Sequence, residues 1–204
     1  AALAGQAGTV VVTQVMAGDG GMGKTQLAAH LFYDAMDGGD QDLGVWVTAT
    51  SRDAVLAGYA AAYEVVQPAG HDLQDTEERA AAFLAWLAAT DRAWLIVLDD
   101  VADPADLNQL RPHGPAGRVL VTTRRRDAAM TAIGSLVDVG VFTPAESLAY
   151  LRERLHRPDL PADVLDGAAQ LATDLGHLPL ALAQAGAVII DDALSCAEYR
   201  ALLA

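Results

Sequence analysis

Apolar β-branched runs alternate with helical periodicities along the first two thirds of the chain. The runs cover Thr9–Met16, Leu43–Ala49, Ala93–Asp99, Gly117–Thr122 and Leu136–Val141. Between them apolar residues recur at three- and four-residue spacings, predicting helices at about Gly23–Met36, Arg52–Val65, Thr76–Ala89, Pro104–Leu110 and, shorter, near Asp127–Ile133. Nearly continuous apolar strands separated by helices predict a parallel sheet covered on both faces. Local signals mark helix starts: Asp75 is followed three residues on by Glu78, and Asp103 precedes Pro104.

After Val141 the β-branched runs cease. Thr143-Pro144-Ala145-Glu146 combines a capping box with a proline just inside a helix. Four helices are expected from there on, at about Pro144–His156, Pro161–Leu175, Leu178–Ile190 and Ser195–Leu203, the last opening with Ser195 and Glu198. The expected organisation is an α/β domain over residues 1–142 and a small all-helical subdomain over 143–204. The chain begins almost on its first strand and stops within a helical pattern, so it is expected to be a fragment of a longer protein.

Composition narrows the function classes. With 204 residues, 52% of them hydrophobic, the chain buries a real core, which excludes disorder. Its formal charge of −14 argues against nucleic-acid or anionic-membrane binding by this segment, because those surfaces require an excess of Lys and Arg. The single cysteine, Cys196, has no partner for an internal disulfide, and the start lacks the features of a signal peptide. A reducing, cytoplasmic setting is expected. The longest apolar run, Leu178 to Ile190, stops at Asp191-Asp192, short of the roughly twenty residues that span a bilayer.

Chemistry enters between the first strand and the first helix. Gly18-Asp19-Gly20-Gly21-Met22-Gly23-Lys24-Thr25 fits G-x-x-x-x-G-K-[ST] in the strand–loop–helix setting of a phosphate-binding loop. Glycines allow successive N–H groups to turn toward phosphates, Lys24 reaches the β/γ oxygens, and Thr25 offers a hydroxyl to Mg²⁺. Gly18, Gly20, Gly21, Met22, Gly23, Lys24, Thr25 and the adjoining Gln26 are the candidate nucleotide contacts. Outside such a setting the same pattern is only a glycine-rich turn.

Trp94-Leu95-Ile96-Val97-Leu98-Asp99-Asp100 is an apolar strand ending in two carboxylates, at the sheet edge where ligands of open α/β folds bind. It resembles a Walker B element: Asp99 would hold Mg²⁺ through water, and Asp100 would orient or deprotonate the attacking water. Strand alternation would send the two acids to opposite faces. The alternative is a pair of solvated turn acids ahead of Asp103-Pro104. Gly117–Thr123 runs into Arg124-Arg125-Arg126, and arginine's planar fork suits a phosphate sensor. Arg124, nearest the strand end, is the candidate; Arg125 and Arg126 are expected to be solvated or paired with acids. Lys24, Asp100 and Arg124 are the candidate catalytic residues, and Thr25 and Asp99 the candidate metal ligands.

Taken in order, the phosphate loop, Leu43–Ala49, the double-Asp strand end, Thr122-Thr123-Arg124 and Gly176-His177-Leu178-Pro179-Leu180-Ala181-Leu182 resemble the NB-ARC module of the STAND signal-transduction ATPases. The alanine-rich style is similar to actinobacterial members. The last motif resembles the family's G-L-P-L-A-L, with His177 in the first Leu position; His177 itself is expected to pack or cap locally. The resemblance implies a P-loop NTPase fold with a five-stranded sheet in which the arginine-bearing strand separates the P-loop and Walker B strands. It further implies a helical subdomain closing over adenine and a base contact from Pro179, which also suits a helix start. The family's G-R segment before the first strand and its winged-helix subdomain with an ADP-contacting histidine are not found in this sequence.

By this resemblance the expected function is an ATP/ADP-dependent switch with slow hydrolysis and Mg²⁺ as cofactor. The partners implied are adjoining sensor repeats, an effector domain and a nucleotide-dependent homo-oligomer. A GTPase is disfavoured, since no N-K-x-D motif follows the loop. The alternatives are a small-molecule phosphotransferase, using the arginines as a lid, and a non-hydrolysing nucleotide-binding scaffold.

Overall fold

A computed structural model of the chain describes residues 12–67, 73–126 and 128–203. Five strands form one parallel sheet: β1 (Val12–Ala17), β2 (Leu43–Thr48), β3 (Trp94–Val101), β4 (Gly117–Thr123) and β5 (Ser135–Asp138), in the order β2-β3-β4-β1-β5. The arginine-bearing strand β4 thus lies between β1 and β3. Helices α1 (Lys24–Asp37), α2 (Arg52–Val66), α3 (Thr76–Ala89) and α4 (Ala128–Thr131) connect the strands, with a 3-10 turn at Pro104–Leu107. The helical part holds α5 (Pro144–Arg154), α6 (Ala168–Asp174), α7 (Pro179–Asp192) and α8 (Cys196–Leu202). Residues 9–11 of the first expected strand and Asp127 of the short expected helix lie outside the described residues.

The chain divides into two compact units. One holds residues 1–18 and 24–138, the other residues 19–23 and 139–204. In the first, the alternate residues Trp94, Ile96 and Leu98 of β3 and Val119 and Val121 of β4 join Val55, Tyr59, Phe83 and Leu87 of α2 and α3 in one buried cluster. Each large side chain so buried contributes about 1.5–3 kcal/mol. The Tyr59 hydroxyl donates to the Leu110 carbonyl at 3.1 Å, and burial holds its phenol well above the usual tyrosine range. Gly58 lets α2 approach the sheet closely: a Cβ there would lie 2.7 Å from the Val47 side chain.

In the second unit Leu151, Leu155, Leu171, Leu182, Ile189 and Cys196 form a separate core. Burial pushes the Cys196 thiol up to about 11, which keeps it protonated and inert. The α5 capping box forms as its sequence predicts, Glu146 N–H donating to Thr143 Oγ1 at 3.2 Å and Thr143 N–H to Glu146 Oε2 at 2.7 Å. Those bonds hold the Glu146 carboxyl below its usual range.

Several expected elements are shorter or shifted, three of them for a plain local reason. The helix expected from Pro161 begins at Ala168, because Gly167 takes a left-handed φ of 81° and residues 162–167 form turns. Residues beyond Leu107 leave the Pro104 helix after one 3-10 turn, where Gln109 has φ 64°. Strand β5 starts one residue early and ends at Asp138, ahead of Gly140. No single helix among the described residues is long and apolar enough to cross a membrane.

Candidate functional site

The loop after β1 is shaped by its glycines. Gly21 and Gly23 both have φ of 80°, a conformation that side-chain-bearing residues rarely adopt. Lys24 opens α1, is 8% exposed, and donates from Nζ to the Gly18 carbonyl at 2.8 Å, spanning the loop from end to end. The N-terminus of α1 adds the positive end of a helix dipole, which favours an anion. In the second unit, the Leu180 N–H at the start of α7 donates to the Gly21 carbonyl at 3.1 Å. A Cβ on Gly23 would lie 3.7 Å from the Pro179 side chain, which is itself buried at the first position of α7.

Thr25 and Asp99, distant in sequence, meet at the C-terminal edge of the sheet. The Thr25 hydroxyl donates to Asp99 Oδ1 at 2.9 Å, so the lone pairs of Thr25 remain free to act as ligands. The same Asp99 oxygen accepts from the Thr122 hydroxyl of β4 at 2.6 Å. Asp100 follows with a left-handed φ of 59°, and its N–H donates to Thr122 Oγ1 at 2.8 Å. The pairing of β3 with β4 shifts register between Leu98 and Val101, so a bulge separates Asp99 from Asp100 where regular alternation was expected.

Each of the three arginines after β4 faces an acid of its own unit. Arg124 Nε lies 3.6 Å from Asp100 Oδ1, Arg125 Nη1 3.9 Å from Asp103 Oδ1, and Arg126 Nη2 3.2 Å from Asp138 Oδ1. The Arg124 side chain is 70% exposed and that of Asp100 47%, so water screens this pair and leaves the guanidinium open to a stronger anion. The Thr123 hydroxyl donates to the Val101 carbonyl at 2.7 Å and accepts the Arg125 N–H at 3.1 Å, which fixes the turn out of β4. Sequence reasoning assigned no role to Thr122; the cue it left unused is a hydroxyl residue on the strand beside the double-Asp strand.

His177 sits between α6 and α7 with φ 55°, after Gly176 at φ 60°. Its carbonyl accepts from Phe142 N–H at 3.0 Å, and its Nδ1 lies 2.9 Å from Ser147 Oγ. Ser147 Oγ also lies 3.1 Å from the Thr143 carbonyl, so its one proton serves either that carbonyl or Nδ1, according to the His177 tautomer. This is a local packing and turn role.

The NB-ARC domain family model matches residues 4–157. The regulatory protein AfsR of Streptomyces griseus is 33% identical over 186 residues, covering 88% of this chain and 18% of that protein. A nucleotide-binding leucine-rich repeat-like protein of Hyaloscypha variabilis is 26% identical over 201 residues, covering 89% of this chain and 20% of the relative. The chain therefore spans about a fifth of the length of the curated relatives it matches. Among solved structures, a STAND protein with a tetratricopeptide repeat sensor from Pyrococcus horikoshii superposes with a TM-score of 0.51 at 20% identity, covering 85% of this chain and 27% of that one. The Aeropyrum pernix ORC1 protein, solved in complex with DNA, reaches 0.63 at 18% identity, covering 96% and 60%. These structures share the P-loop NTPase fold that the strand order and the loop already display. The chain belongs to the NB-ARC family, the nucleotide-binding domain of STAND proteins.

Proposed function

We propose that this chain is the ATP/ADP-responsive switch of a longer regulatory protein, with slow ATP hydrolysis. The observation that carries the reading is the Thr25–Asp99 hydrogen bond, which joins the phosphate loop to the acidic end of β3 beside the N-terminus of α1. A hydroxyl and a carboxylate are hard oxygen donors, and so small a donor set suits Mg²⁺ held jointly with substrate phosphates. An ion held there would supply positive charge against the phosphates of the nucleotide. Thr25 and Asp99 would hold it, the loop amides and Lys24 would cradle the phosphates, and Gln26 and Pro179 would complete the nucleotide contacts. Asp100 would take the proton of the attacking water.

In this reading residues 1–142 bind the phosphates and 143–204 form the helical subdomain that reports the nucleotide state to sensor repeats, an effector domain and further copies of the protein. Switching requires ATP and ADP to favour different conformations, by about 5.5 kcal/mol for a near-complete inversion of populations. The buried single thiol is consistent with a cytoplasmic setting, and the charge of −14 argues against direct nucleic-acid or membrane binding by this segment. Titration with labelled nucleotides tests the reading: ATP and ADP are expected to bind more tightly than GTP and GDP, and equal affinities would overturn it.

Arg124 gives a sharper expectation. Its exposed guanidinium, which faces Asp100, is the group to meet a γ-phosphate. One charge-assisted hydrogen bond is worth roughly 1.5–3 kcal/mol, so Arg124→Ala is expected to weaken ATP binding by about ten- to a hundredfold and leave ADP nearly unchanged. Arg126→Ala, which breaks only the pair with Asp138, is expected to change neither. Equal losses for ATP and ADP in the Arg124 variant would remove the sensor assignment.

A further inference from the structure

Thr122 stands opposite both acids at once. From Leu98 to Val101 β3 advances three residues while β4 advances two, from Val121 to Thr123, so Asp99 and Asp100 share Thr122 as their counterpart. That is the two-against-one count of a β-bulge, a feature rare between parallel strands. A bulge leaves the extra residue outside the regular ladder, and a buried N–H without a partner is costly. The Thr122 hydroxyl meets both needs. Its proton goes to Asp99 Oδ1 at 2.6 Å, and its lone pair accepts the Asp100 N–H at 2.8 Å. Thr122 is 1% exposed, so its own hydroxyl has these two groups, and not water, as partners.

We propose that Thr122 is the positioning residue of this site, one hydroxyl setting the orientation of both acids. Toward Asp99, it shares Oδ1 with the Thr25 hydroxyl, which leaves Oδ2 as the oxygen available to a metal-bound water. Toward Asp100, it stabilises the left-handed backbone that turns the carboxylate to Arg124. Arg124 itself follows Thr122 by two residues on the same strand end. The inference rests on the reading of Asp99 as the Mg²⁺-side acid, and it adds a buried residue that acts through the two acids.

The test compares Thr122→Val, which keeps the branched shape and removes the hydroxyl, with Thr122→Ser, which keeps the hydroxyl. Two measurements are made: ATP affinity as a function of Mg²⁺ concentration, including EDTA, and hydrogen exchange of the Asp100 amide without nucleotide. In the Val variant the Mg²⁺ needed for half-maximal ATP binding is expected to rise about tenfold, while affinity in EDTA stays within about twofold. Exchange at the Asp100 amide is expected to speed up by about tenfold or more. Thr122→Ser should restore both. A Val variant with unchanged Mg²⁺ dependence and unchanged exchange, or with equal losses in Mg²⁺ and in EDTA, overturns the proposal. Should the Val variant fail to fold, Thr122→Cys replaces it, because a thiol is a weak donor of similar size: Cys shifted and Ser restored supports the role, both equally shifted refutes it. ATP binding by the unaltered chain that ignores Mg²⁺ would defeat the reading of Asp99, and the amide-exchange comparison would then decide the role of Thr122 by itself.

Discussion

Replacing Lys24 by alanine is expected to weaken binding of both ATP and ADP by at least about a hundredfold, since charge-assisted bonds to phosphate contribute roughly 1.5–3 kcal/mol each and this ammonium would serve two phosphates. The side chain is 8% exposed and its Nζ lies 2.8 Å from the Gly18 carbonyl, so a preorganised charge would be lost rather than a wandering surface one. Isothermal titration with each nucleotide checks this, with circular dichroism to show that α1 survives. Alanine is a better helix former than lysine, and the substitution itself does not threaten the fold. Affinity unchanged from the parent chain would mean that the loop is not a phosphate site.

Asp100→Asn is expected to keep nucleotide binding and to slow ATP turnover by about 10²–10⁴-fold, the usual contribution of a general base. The amide has nearly the same shape as the carboxylate, and the backbone bond from Asp100 N–H to Thr122 is untouched by the change. What disappears is the proton acceptor, together with the charge facing Arg124. Phosphate release under single-turnover conditions is the measurement, made in a longer parent protein if the chain alone turns over too slowly. Turnover equal to that of the unaltered protein would return Asp100 to the status of a surface acid.

The sheet was legible because burial on both faces forces apolar, β-branched runs, and five such runs became five strands in the expected order. Their spatial order was another matter. Periodicity says nothing about which strand neighbours which, and the position of β4 between β1 and β3 was anticipated only through the family resemblance. Short-range capping chemistry read well: Ser195 and Glu198, like Thr143 and Glu146, close the boxes their spacing announces. Pro161 misled in the same language, since a proline that suits a helix start suits a turn equally, and Gly167 delays α6 to Ala168. Within the site, the loop glycines and the adjacent acids are visible as letters. The bulge is not. Regular alternation was the natural assumption for Asp99 and Asp100, and only the register against β4 reveals that one threonine serves both.

The junction of α6 and α7 carries a different consequence. His177 is tied to α5 and the turn before it at two points, its carbonyl accepting the Phe142 N–H at 3.0 Å and its Nδ1 lying 2.9 Å from Ser147 Oγ. The imidazole at this joint is therefore a fastener: the left-handed turn that presents Pro179 and Leu180 is pinned to the first turn of α5 instead of resting on its own backbone geometry.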